Sequence, residues 1–296
     1  MSASAPEHAP RFTWRRVLLG VALAVLVAAG VVALIGRAAG FGRLFDTLQD
    51  GKPGWLAACA VGQLVVFGGY AWTLRGAVAF EDGPRLPFHL SLRVVLGSFA
   101  LTQLIAFGGA AGIAVTFWAL RKLRFGRREA AVRVIGLNSL VYLMFAVLGW
   151  VAALLAFVFR LAPDGLTLPW LAIVPVLLAL AWWFTDAERV AHWSRPAGGW
   201  LRRALALGVS AAWWVRRAVG APDGRTMVGA AAVYWAGDIA SLWAGLKVFD
   251  AAPGLLPLAL AYFTGYVASI LPLPACRSRR RCSASSRTGC SPSGCP

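Results

Sequence analysis

The stretch LSLRVVLGSFALTQLIAFGGAAGIAVTFWAL, Leu90 to Leu120, decides how this chain folds. It is apolar almost throughout. Yet its middle, Phe107-Gly108-Gly109-Ala110-Ala111-Gly112, places three glycines within five residues. Glycine permits tight turns and close backbone approach that other residues resist. A helix rises about 1.5 Å per residue, and about 20 apolar residues cross a hydrocarbon core of about 30 Å. The 31 residues from 90 to 120 are short for two crossings, because each arm would reach roughly 23 Å. The pattern predicts a broken, re-entrant helical hairpin with its glycines at the turn. Gly108 and Gly112 also form a G-x-x-x-G, a pattern of close helix contact.

The rest of the chain sets that hairpin in a membrane. Of 296 residues, 59% are hydrophobic and 14% charged, with a mean hydropathy of +0.68. Soluble domains are about 45–50% apolar and roughly 25% charged. The composition excludes an ordinary soluble enzyme and a disordered chain. Apolar runs predict spans at 17–36, 55–74, 132–159, 168–184, 227–249 and 255–273, around the hairpin at 90–120. The expected fold is an all-α polytopic transmembrane helical bundle with that broken hairpin and an inverted repeat.

Charge orders the spans. The formal net charge is +17, from 29 basic and 12 acidic residues. Arg121, Lys122, Arg124, Arg127, Arg128 and Arg133 crowd one loop against Glu129 alone. Seven arginines lie in 185–226 against Asp186, Glu188 and Asp223. Arg11, Arg15 and Arg16 precede the first span. By the positive-inside rule these segments, and the tail 1–16, are cytoplasmic. A hairpin at 90–120 follows, because both its flanks fall inside. The excess of arginine over lysine and the heavy use of Ala and Gly suggest a bacterial source, and so the inner membrane. No basic stripe or nucleic-acid motif accompanies the charge, so no nucleic-acid partner is expected.

Two segments stand apart. Residues 200–220 carry Arg202, Arg203, Arg216 and Arg217 around a short run with Trp213 and Trp214. That pattern predicts an amphipathic helix at the cytoplasmic surface. After the membrane domain, 17–275, the tail 276–296 is rich in Cys, Ser and Arg and holds four of the five cysteines. It reads as GC-rich DNA translated out of frame.

Polar groups inside apolar runs are the candidate site. Asp238 is the acidic residue near the middle of a predicted span, where a charge normally faces a partner or a cavity. Arg93, at the start of the hairpin, has the planar fork that suits a phosphate. Gln103 and Asn138 are uncharged mid-span groups. Gly108, Gly109 and Gly112 break the first segment; Pro272 and Pro274, in Leu271-Pro272-Leu273-Pro274, break a second that is approached from the opposite side. Paired interrupted segments of inverted orientation mark transporter sites near the midplane. No nucleophile elbow, zinc-protease or nucleotide-binding motif occurs, so no enzyme activity, metal or cofactor is expected.

These features resemble the YbhN-like family, relatives of the flippase region of lysylphosphatidylglycerol synthase. The resemblance rests on Phe107–Gly112, on the Leu-Arg-x-x-x-Phe-Gly-Arg-Arg-Glu-Ala-Ala run at 120–131, on Trp235-x-x-Asp238 and on Leu-Pro-Leu-Pro at 271–274. It covers roughly residues 17–275. Phe107 stands where the family often has proline. The resemblance implies movement of a lipid or lipid-linked headgroup between leaflets, with anionic or lipid-linked membrane lipids as partners and a homo-oligomer as one assembly. The alternative is a membrane enzyme or accessory subunit acting on lipid-linked envelope precursors. Asp46, Asp50, Asp164 and Asp250 are the acidic groups the outer loops offer it.

Overall fold

The computed structural model describes Leu26, Gly30 and residues 52–104, 110–186, 199–249, 251 and 253–270. The tail 1–16, nearly all of the first span, Gly108, Gly109, Pro272, Pro274 and the tail 276–296 lie outside the described residues. Among those described, the chain is an all-α membrane helical bundle with no strand. The helices are α1 (Pro53–Ala79), α2 (Phe88–Leu104), α3 (Ala110–Lys122), α4 (Arg127–Val158), α5 (Asp164–Phe184), α6 (Trp200–Gly220), α7 (Arg225–Val248) and α8 (Leu255–Ile270).

The decisive stretch forms two helices, not one. With 17 and 13 residues, α2 and α3 rise roughly 25 and 20 Å, each short of a bilayer core. They pack antiparallel. The Ser98 and Thr116 hydroxyls hydrogen-bond at 3.2 Å, and Gly112 lies against Thr102 in the same register. A Cβ on Gly112 would come 2.6 Å from Thr102 Oγ1. The glycine is therefore a contact between the arms.

Among the described residues, three helices, α1, α4 and α5, are long and apolar enough to cross a membrane on their own. The helix at the expected 227–249 span is α7, 24 residues long but outside that set. Its position explains its composition. It lies in the closest seam of the bundle, antiparallel to α1, where its polar residues meet protein. Gly62, Gly69 and Gly76, seven residues apart on α1, face Ser241, Tyr234 and Met227 on α7. A Cβ on these glycines would sit 2.8, 2.9 and 2.8 Å from the facing residue. Seven-residue spacing keeps one seam facing a partner helix, as in coiled coils. Small residues on that seam let backbones approach, which is how helices gain dispersion contacts in lipid.

The end of α1 is held by a buried cation. Arg133 of α4, 4% exposed, donates to the carbonyls of Ala77, Val78 and Phe80 at 2.8, 3.3 and 2.7 Å. The last carbonyls of a helix lack intrahelical donors, and a basic side chain there also meets the negative end of the helix dipole. The other side of the guanidinium pairs with Glu129 at 3.1 Å.

Helix α6 turns its apolar stripe onto α4. Ala206, Ala211, Trp214, Val215 and Ala218 are buried, and the Trp214 ring lies over Gly136 and meets the Phe80 ring edge-on. Arg217 is exposed and Arg216 half-buried on the opposite side.

Candidate functional site

A polar cavity of about 270 Å³ opens where the hairpin meets the bundle. The hairpin supplies Ser98, Phe99, Thr102, Gly112, Ile113 and Thr116 as one wall. Opposite stand Tyr70 of α1, Asn138, Val141 and Tyr142 of α4, Tyr234 and Trp235 of α7, and Tyr266 of α8.

Hydrogen bonds and ring contacts fix this lining. The Trp235 indole N–H donates to the Val141 carbonyl at 2.7 Å, which ties α7 to α4. The Tyr142 and Tyr266 hydroxyls meet at 3.3 Å, which joins α4 to α8. The rings of Tyr70 and Tyr234 lie 5.5 Å apart across the α1–α7 seam. Phe145, Trp235 and Phe263 form an edge-to-face aromatic core just behind. On the hairpin side, Thr102 and Thr116 each donate to a carbonyl one turn back, at 2.8 and 3.0 Å. Those bonds satisfy their hydrogens and leave oxygen lone pairs to the cavity.

Asp238 sits one helical turn beyond Tyr234 on α7, beside the cavity and not on its lining. Its Oδ2 accepts a short hydrogen bond from the Tyr262 hydroxyl. Among the described residues no Arg or Lys pairs with it. Among the described residues the cavity is lined by no charged one. Its chemistry is hydroxyl, amide and aromatic, with one carboxylate close by. Such a lining can exchange hydrogen bonds with a polar group that has left water, as spanning segments must for any polar cargo.

The residues singled out from sequence divide in three. Gly112 and Asn138 line the cavity, and the Asn138 amide donates to the Val134 carbonyl at 2.9 Å. Asp238 joins them through the Tyr234 and Tyr262 positions. Arg93 is exposed on α2 and lies outside the lining. Gln103 is in α2, near its end. Gly108, Gly109, Pro272 and Pro274 lie outside the described residues. Among the described residues no group of three or more His, Cys, Asp or Glu could hold a metal.

The tyrosines are what sequence reasoning missed. The chain has five, and all five meet here: Tyr70, Tyr142, Tyr234 and Tyr266 on the lining and Tyr262 on Asp238. A signal existed. Tyrosines of membrane proteins gather in belts at the two interfaces, whereas here every one falls inside an apolar run. No family model matches the chain, and neither a curated protein nor a solved structure matches it.

Proposed function

We propose that this protein moves the polar headgroup of a lipid or lipid-linked molecule between leaflets of a bacterial inner membrane, with its N-terminus in the cytoplasm. The observation that carries the reading is the polar cavity inside a membrane bundle, walled on one side by a hairpin too short to span. A polar headgroup crossing hydrocarbon loses its hydration, and hydroxyl and amide side chains can replace part of it. The tyrosine, threonine, serine and asparagine lining offers such replacement. Asp238 offers a carboxylate that can meet a cation. The resemblance to YbhN-like flippase regions points the same way. Such movement breaks no covalent bond, which accords with the lack of a catalytic motif.

The test is transport by the full chain in liposomes that carry headgroup-labelled lipids, with a quencher that cannot cross the membrane. The expected result is loss of more than the outer-leaflet half of the signal, and recovery of the half-level plateau with Asp238→Asn. Signal loss that stops at half for every headgroup tried, from anionic to lipid-linked sugar, would refute the reading.

A further inference from the structure

A second polar region lies away from the tyrosine cavity, at the end of the bundle that gathers most of the arginines. There the last turns of α5 and α6 bound a groove of about 510 Å³ lined by Trp182, Thr185, Asp186, Trp213, Arg216 and Arg217. We propose that this groove binds the headgroup of a phospholipid carrying both a phosphodiester and a primary ammonium. The proposal rests on the membrane reading of the fold and is independent of transport.

The cationic half is preorganised. The Arg216 guanidinium stacks 4.1 Å over the Trp182 ring and gives one N–H to the Trp182 carbonyl at 3.1 Å. A guanidinium has five N–H donors in a rigid fork, so four remain for phosphate oxygens. Arg217 is differently placed. It stacks 4.7 Å over Trp213 and bridges to Glu81 at 2.7 Å. Its charge is already met, and it serves as a wall. The Glu81 partner sits at a left-handed backbone position, φ 59°, in the turn after α1. That unusual conformation accompanies the ion pair that holds the turn to α6.

The anionic half is Asp186. Its carboxylate is exposed on the same groove and is engaged by no hydrogen bond or ion pair among the described residues. One available cation and one available anion in a single groove match a zwitterion. A headgroup with the phosphodiester alone would meet Arg216 and leave Asp186 without a cation. The adjoining cavity, about 760 Å³, shares Arg217 and Ala221 and repeats the balance, with Arg75 and Arg85 against Glu81, Asp82 and Asp223. Trp182 on the groove, and Trp183 and Phe184 next to it in α5, are each more than half exposed. Amphipathic rings of this kind sit at headgroup level with acyl chains beside them. They favour a lipid over a free phosphodiester.

The test is native mass spectrometry of the full chain in detergent, titrated with phosphatidylethanolamine, phosphatidylglycerol and glycerophosphoethanolamine. The expected result is saturable binding of phosphatidylethanolamine at concentrations about fivefold below phosphatidylglycerol, the scale of one exposed ion pair. Asp186→Asn should erase that preference and leave phosphatidylglycerol binding intact. Arg216→Lys should keep the fold and weaken both lipids, because an ammonium lacks the fork. Glycerophosphoethanolamine at equal concentration should not compete. Equal or tighter phosphatidylglycerol binding in the wild type would overturn the proposal. So would a preference that survives Asp186→Asn, adducts that never saturate, or full competition by the chain-free headgroup.

Discussion

Arg133 is buried and Asp238 half-buried, and they are held differently. Arg133 meets three main-chain carbonyls and Glu129. Glu129, four residues back on the same helix, is a partner the sequence itself offers. The three carbonyls come only from the position of the α1 terminus. Arg133→Met should remove those donors, leave the carbonyls unmet, and cost about 2–4 kcal/mol. Thermal unfolding in detergent, followed by helical circular dichroism, should fall by several degrees, with Arg133→Lys in between. Asp238 is met by one hydroxyl, that of Tyr262. An amide oxygen can accept the same bond, so Asp238→Asn should leave the unfolding midpoint nearly unchanged. It should lower lipid movement about tenfold or more, equivalent to about 1.4 kcal/mol in the barrier. A variant that unfolds early, or one that still transports fully, would contradict the division between scaffold and site.

At the scale of helices, the α1–α7 seam makes the sharpest prediction, because two neighbouring glycines have opposite surroundings. Gly69 faces the Tyr234 backbone, where a Cβ would come 2.9 Å from the amide nitrogen. Gly68 has nothing within 4 Å of the same added carbon. Main chain cannot swing aside as a side chain can, so Gly69→Ala should pry the helices apart and lower the unfolding midpoint. Gly68→Ala should hold or raise it, since alanine is the better helix former by up to about 1 kcal/mol. Equal effects at the two positions would mean that the seam is looser than described. The hairpin offers a related test. Ser98 and Thr116 touch across its arms, and a Ser98→Cys/Thr116→Cys pair in a background lacking the other cysteines should oxidise readily. The disulfide should stop transport and reduction should restore it, if the arms must part for a headgroup to pass.

For the whole molecule, the asymmetry of charge is the governing fact. One end of the bundle holds the α1–α2 turn, the α3–α4 loop and the last turn of α6, with Arg75, Arg85, Arg121, Lys122 and Arg217 among its charges. The opposite end, with the start of α1, the α4–α5 turn and the end of α7, carries Lys52, Arg160 and Lys247 with Asp164. Basic segments stay in the cytoplasm. Single cysteines replacing Arg85 and Arg124 should therefore react with an impermeant thiol reagent only after cells are opened. A cysteine replacing Asp164 should react in intact spheroplasts. Labelling in the reverse sense would invert the proposed orientation and move the arginine groove to the outer leaflet.

Hydropathy and helix length are properties of consecutive residues, and so they were legible without a structure. The apolar runs, the break near Gly108–Gly112 and the amphipathic pattern of residues 200–220 all come from neighbours in the chain. Part of the cavity lining was legible too: Asn138 and Gly112, with Asp238 beside it, stand out because polar or flexible residues are costly in a lipid-facing helix. The five tyrosines could be counted, but their meeting could not be foreseen, because they lie on four helices that only packing brings together. The same holds for Arg133, whose carbonyl partners are more than fifty residues away. It holds also for α7, whose modest hydropathy makes sense once α1 is seen against it. Sequence by itself determined that the chain is a bundle of membrane helices with a broken hairpin, since local chain chemistry is enough for that. Only the tertiary structure decided which polar groups face one another, because that depends on close approach between helices far apart in the chain.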